Sequence, residues 1–383
     1  MMIGQIFKRS PLLFTGLVGL MAIATASCTA IPTARENGGQ STVATVMVAD
    51  WQEAQLLHTL PGHSNSRLID VRSMTISADG SSLISVGMSG SEPNEEGSYD
   101  GEVRIWNLEL GELTSTIPGL FDEMSVVTVG ADRQTLVVGD RSYNIQLWNL
   151  ETGDKLQTLP NIGYLTELLI LSQDGKTLIT ANPDDQTVQV WDVESQQVKR
   201  SFNAAHEAIV IEGSDRSVEV PGRLSRIALS DDDGKTLATT GLDKIIKLWN
   251  LETGELILTF PTDHEYPIHA LTFSPDGETL VSGSSDNTVK LWSQEGELLH
   301  TLTGHSATVL SLQYSPNGEV LATSDLDSTV KLWNPTTGEL IQTLAEEPVR
   351  EGGTSTSLTF SPNGEILAGV NYDGTIKVWQ VSH

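Results

Sequence analysis

Apolar and polar positions alternate in short runs over most of this chain, and the runs return with a common length. The clearest stretch is Gly254 to Trp333. There Leu271-Thr-Phe-Ser-Pro-Asp-Gly277 is followed by Thr279-Leu-Val-Ser-Gly-Ser-Ser-Asp286 and by Thr288-Val-Lys-Leu-Trp292. The same words come back as Ser315-Pro-Asn-Gly318, Asp327 and Thr329-Val-Lys-Leu-Trp333. A period of about 41 residues holding four short alternating runs predicts four β-strands per unit, the pattern of a propeller blade and not of a helical solenoid. Turn words such as Leu251-Glu-Thr-Gly-Glu255 join the third and fourth runs, with Gly254 supplying the positive φ of a tight hairpin.

The unit resembles the WD40 repeat. Seven tryptophans, Trp106, Trp148, Trp191, Trp249, Trp292, Trp333 and Trp379, close the third strand (c) of successive units. Only Trp191 is followed by Asp; elsewhere the second letter of the motif is Asn, Ser or Gln. A fourth strand (d) follows six of them, and the chain stops at His383 before a seventh can form. That strand is found at the front instead. Leu56-Leu-His-Thr-Leu-Pro-Gly-His63 matches Leu298-Leu-His-Thr-Leu-Thr-Gly-His305 at seven of eight positions. The expected fold is therefore all-β: a seven-bladed propeller whose ring is closed by the N-terminal strand completing the last blade, which removes two open sheet edges. The resemblance covers residues 51–383 and is specific for fold, not for function.

It also implies a hydrogen-bonded network in each blade: a turn Asp, a His from the preceding connection, a Ser or Thr on strand b, and the Trp. The sets are His264, Ser282, Asp286 and Trp292 in blade 5, and His305, Thr323, Asp327 and Trp333 in blade 6. With inserted loops, His63, Ser85, Asp100 and Trp106 fit blade 1, and His206, Thr239, Asp243 and Trp249 fit blade 4. Blades 2, 3 and 7 lack the His, and carry Val138, Ala181 and Gly369 where the hydroxyl belongs. A Ser–His–Asp grouping suggests hydrolysis, but a nucleophile is not duplicated around a ring, so the sets read as structural.

Length and charge then narrow the function. The formal charge is −28 over 383 residues. Residues 1–27 hold Lys8, Arg9 and no acid, so their removal leaves −30. Such a field repels phosphate backbones, so nucleic acid is not an expected partner. Lys8-Arg9, the apolar run Leu12–Ala26 and Cys28, the sole cysteine, read as a lipoprotein-type signal peptide over residues 1–27 with lipidation at Cys28. The Leu usual three residues before such a Cys is Thr25 here, and plain secretion after Ala26 is the alternative. Residues 28–50, rich in Gly, Ser, Thr and Ala, read as a flexible tether.

No HExxH, Gly-x-Ser-x-Gly, phosphate loop or dinucleotide fingerprint occurs, and no catalytic, cofactor or metal residue is assigned. Asp231-Asp-Asp-Gly234 occupies an a–b turn and reads as an acidic hairpin before it reads as a calcium loop. The a–b turns are short and uniform, whereas the connections on the opposite, d–a and b–c face are long. From His to Asp the regular blades count 22 residues and blades 1 and 4 count 37. The excess lies in residues 88–98 and 207–223, with a third extension at 346–351. The expectation is a monomeric, non-catalytic protein-interaction scaffold of the bacterial cell envelope. Partners would meet these loops and the residues before each turn Asp: Tyr99, Arg141, Asp184, Leu242, Leu326 and Tyr372. The alternative is an enzyme or a small-ligand or metal binder that uses the central channel.

Overall fold

The computed structural model describes residues 50–63, 71–88, 101–121, 126–130, 133–139, 144–159, 168–172, 174–212, 217–230, 235–345, 357–371 and 373–382. The leader, Cys28 and the tether up to residue 49 lie outside them. Every regular element among the described residues is a strand.

Seven four-stranded antiparallel meanders make the seven expected blades. Blade 5 is representative, with a = Ile268–Phe273, b = Thr279–Ser284, c = Val289–Ser293 and d = Leu298–Leu302. Blade 7 takes a, b and c from Leu358–Phe360, Ile366–Val370 and Ile376–Ser382, and d from Asp50–Leu60 at the other end of the chain. The N-terminal strand runs antiparallel to the last one, pairing Leu60 with Ile376 and Asp50 with Ser382. Ring closure is thus as the repeat at Leu56–His63 predicts.

The core is not a single mass. It divides into seven clusters, one in each seam between adjacent blades. The seam between blades 7 and 1 joins Leu60, Ile376 and Val378 to Val71, Met74 and Trp106. Strands b and c are buried on both faces because each blade is sandwiched by two others. Strands d are open on the rim, as the exposed start of Leu256–Pro261 illustrates. The innermost strands a abut one another in order around the ring and enclose the axial channel.

Two irregularities recur. A bulge at the Trp interrupts the c–d pairing, for instance between Leu291 and Trp292 or Leu248 and Trp249. A second bulge near the start of strand a occurs in blades 1, 4, 5 and 6, the four that carry the His. A bulge re-aims the extra side chain and tightens the local twist. Within the insertion at 207–223, on the d–a connection into blade 4, Ile209–Glu212 pairs antiparallel with Ser217–Val220.

Candidate functional site

Four blades contain a Trp–hydroxyl–His–carboxylate chain, and the hydroxyl is its fixed point. The indole Nε1 donates to Ser85, Thr239, Ser282 and Thr323 at 2.9, 3.0, 2.9 and 2.8 Å from Trp106, Trp249, Trp292 and Trp333. The same oxygens lie 2.8, 3.0, 2.9 and 2.6 Å from Nε2 of His63, His206, His264 and His305. A hydroxyl that accepts from an indole still has its own hydrogen to give to Nε2, an arrangement that suits the tautomer with its hydrogen on Nδ1, toward the carboxylate. Burial, the largest influence on His264, holds its pKa below the usual imidazole value against the opposing pull of Asp286. All four hydroxyl residues are completely buried. They cannot reach a substrate, so the arrangement is a blade lock and not a hydrolytic triad.

The carboxylate end is less uniform. Asp243 and Asp286 sit in the b–c turn and meet Nδ1 of His206 and His264 at 2.9 and 2.8 Å. For both acids burial alone would raise the pKa; hydrogen bonds from the His, and for Asp286 first from Thr288, outweigh it and hold the group below the usual carboxylate value. Blade 6 departs from expectation. His305 Nδ1 meets Asp325, not Asp327, at 2.9 Å. Asp325 ends strand b, is wholly buried, and accepts the amides of Asp327 and Thr329 at 3.1 and 2.9 Å. A carboxylate already seated there leaves no donor for Asp327, which turns outward to Ser306 at 3.4 Å.

In blade 1, Asp100 lies outside the described residues, and Glu102 stands 3.3 Å from Nδ1 of His63. Arg104 Nε is 2.7 Å from that same carboxylate, and its Nη2 donates to the His63 carbonyl at 2.9 Å. Blade 3 needs a second correction. The residue at the hydroxyl position is Thr180, not Ala181: Trp191 pairs with Leu178, and its Nε1 donates to Thr180 at 3.3 Å. Counting back ten residues from the Trp fails because the b–c turn of this blade holds one more residue than those of blades 2, 4, 5, 6 and 7. Val138 and Gly369 stand where expected by register, opposite Gln146 and Lys377. At Gly369 an added Cβ would come within 3.1 Å of the Trp379 ring.

Three of the expected partner-facing residues are described. Asp184 is exposed and ion-pairs with Arg223 at 3.0 Å, Leu242 is half-buried, and Leu326 is 41% exposed. Tyr99, Arg141 and Tyr372 lie outside the described residues, as do Asp231–Gly234 and residues 89–98 and 346–351. Sequence reasoning missed Val210 and Tyr266, which are 63% and 57% exposed on the same face, in the d–a connections into blades 4 and 5. Their signal was available as apolar letters in d–a connections: Ala208-Ile-Val-Ile211 in the insertion before blade 4, and Tyr266 among Asp263, His264 and Glu265 before blade 5. No group of three or more His, Cys, Asp or Glu side chains that could hold a metal ion occurs among the described residues.

A search of curated proteins finds no match to the chain. The family profile for the WD domain, G-beta repeat, matches residues 54–107, 221–250, 254–293, 296–334 and 338–380, together just over half of the sequence. Blade geometry, the recurring tryptophans and these five matches agree, and the chain belongs to the WD40-repeat family.

Proposed function

We propose that the protein is a non-catalytic interaction scaffold that docks a protein partner on its d–a and b–c face. The observation that carries this reading is a run of exposed apolar side chains on that face across three consecutive blades: Val210, Tyr266 and Leu326. Large side chains left in water on one face, on loops held by a rigid ring, are what a partner buries. The exposed leucines at the opposite rim, such as Leu256 and Leu298, recur blade after blade along the outer strands. A repeated belt does not single out one docking position; the local run does.

The N-terminal strand supports a geometry for tethering. Asp50 pairs with Ser382, so the chain enters the propeller at the a–b and c–d rim. With Cys28 lipidated and residues 28–49 as tether, that rim would turn toward the membrane and the loop-rich face away from it. Export, lipidation at Cys28 and placement in a bacterial cell envelope are part of this proposal, as is a monomeric propeller without a nucleic-acid partner.

The test is a crosslinking pull-down from native membranes with the protein and with a Val210→Asp, Tyr266→Ser, Leu326→Asp variant. A stoichiometric partner retained by the first and lost by the second is the expected result. Equal capture by both removes the assignment of the face, and no protein partner with either removes the scaffold reading.

A further inference from the structure

Each exposed apolar side chain of the loop-rich face has a carboxylate residue next to it. Val210 and Glu219 are directly opposite one another in the antiparallel pair Ile209–Glu212 with Ser217–Val220, so both side chains leave the same face of it, and both are exposed. Tyr266 follows the exposed Glu265, and Leu326 precedes the half-buried Asp327. Glu207 and Asp263, both exposed, adjoin the lock imidazoles His206 and His264 in the connections into blades 4 and 5.

The locks fix the backbone that carries these acids. The amide of Glu207 donates to Asp243 and that of Glu265 to Asp286, both at 3.0 Å, on the carboxylates that also meet His206 and His264. Hydrogen bonds join the connections across the blades. The Leu326 amide donates to the Thr308 carbonyl at 2.9 Å, the Thr308 hydroxyl meets that of Ser285 at 3.4 Å, and the Ser285 amide donates to the carbonyl of Pro267, next to Tyr266, at 3.1 Å. Lys244 ties in blade 4, its Nζ donating to the Glu265 carbonyl at 3.3 Å. Among the described residues, Lys244 and Arg223 are the cations in the d–a and b–c connections of blades 4 to 6, and Arg223 ion-pairs with Asp184 at 3.0 Å. No ion pair engages Glu207, Glu219, Asp263 or Glu265 among the described residues.

We propose that the segment docked on this face is basic: a stretch of a partner protein in which Lys or Arg flanks apolar side chains. This rests on the reading above that the face binds a protein, and adds the partner's chemistry. Burial of Val210, Tyr266 and Leu326 supplies the affinity. The fixed carboxylates around them speed encounter and set the choice of partner, since an acidic segment would bring like charges together. The exposed Tyr266 ring serves either component, as apolar surface or as a π face for a cation.

The test is a fluorescence-anisotropy titration of the full chain with three labelled short peptides. The first has Lys and Arg at its ends and Leu and Trp at its centre; the second has the same centre with Glu at the ends; the third has the basic ends with a Ser centre. The first should bind at one per chain and weaken as salt rises, the second should not bind, and the third should bind more weakly than the first. Glu207→Gln, Asp263→Asn and Glu265→Gln together should weaken the first roughly tenfold. Glu194→Gln, Glu255→Gln and Glu297→Gln, which remove the same charge from exposed c–d turns on the opposite face, should leave it unchanged. Equal weakening by both sets would mean attraction to net charge alone and overturns the proposal, as does failure of the first peptide to bind. A second peptide that binds as well as the first, with both lost on Val210→Ser, Tyr266→Ser and Leu326→Ser, also overturns it but leaves docking on this face standing. The pull-down then judges the scaffold reading separately.

Discussion

Blade 6 contains two aspartates two residues apart, and the structure assigns them opposite importance. Asp325 supplies one oxygen to His305 Nδ1 at 2.9 Å and the other to the amides of Asp327 and Thr329 at 3.1 and 2.9 Å. Asp325→Ala therefore orphans three donors at a fully buried position. Each buried donor left unpaired costs about 1–3 kcal/mol, and water reaching the two turn amides recovers part of it. The net expectation is a loss of about 3 kcal/mol. Asp327→Ala removes only a 3.4 Å contact with Ser306 and should stay within about 0.5 kcal/mol. Equilibrium urea unfolding followed by tryptophan fluorescence reads both. A double-mutant cycle with His305→Ala should then show coupling to Asp325 and none to Asp327. A larger loss from Asp327→Ala, or coupling of His305 to Asp327, would refute the assignment and restore the position six before the Trp as the partner.

Acid stability should carry the mark of His269. Its folded pKa of about 4 lies below the usual 6.5, so the unfolded chain takes up the proton first. Stability is full above the unfolded value and falls as pH drops from 6.5 toward 4, by up to about 3 kcal/mol. His269→Gln should flatten that part of a urea-midpoint profile; an unchanged slope would mean the imidazole is not desolvated. In blade 3, where no His joins the chain, Thr180→Val removes the 3.3 Å bond from Trp191 and should cost about 1 kcal/mol, against about 2–3 kcal/mol for Ser282→Ala, which breaks a full chain. Equal losses would show that the imidazole adds nothing to the lock. Trp51 is 3% exposed and packs edge-on against Phe360 at 5.3 Å, so Trp51→Ala should cost about 3–5 kcal/mol. Hydrogen exchange should then speed up first in Ile376–Ser382, and uniform exchange across all blades would argue against closure by this strand.

The blade count and ring closure were legible because each depends on many letters at once. Seven tryptophans at matching strand ends, and seven identities of eight between Leu56–His63 and Leu298–His305, leave little room for another arrangement. The errors fall where a single letter had to decide. Thr180 was passed over because counting along the chain ignores an extra turn residue, whereas pairing with strand c does not. The paired strands Ile209–Glu212 and Ser217–Val220 lie in what the sequence shows only as a long connection: two four-residue strands are too short for alternation to stand out. The half-buried Arg72 and His269 were not legible because a bulge, not the strand's own alternation, sets them apart from their buried neighbours.

The lock itself explains which of its members a sequence can name. The hydroxyl must sit within hydrogen-bond reach of two atoms, the indole Nε1 and the imidazole Nε2, on two different segments. Two such constraints nearly fix a point, and in all four His-bearing blades the same strand b position supplies it: Ser85, Thr239, Ser282 and Thr323. The carboxylate has only one obligatory partner, Nδ1, and one constraint defines a surface around that atom. Three backbone positions border it. The b–c turn offers Asp243 and Asp286, the end of strand b offers Asp325, and the start of strand c offers Glu102, whose longer side chain reaches back from a more distant backbone. Blade 5 shows the neighbouring position already in contact, since Thr288, four residues before Trp292 as Glu102 is before Trp106, places its hydroxyl 3.2 Å from His264 Nδ1. An acid can therefore move among these positions without changing the geometry of the lock. That freedom is why a fixed spacing from the Trp identified the hydroxyl in blades 4, 5 and 6 and misassigned the acid in blade 6.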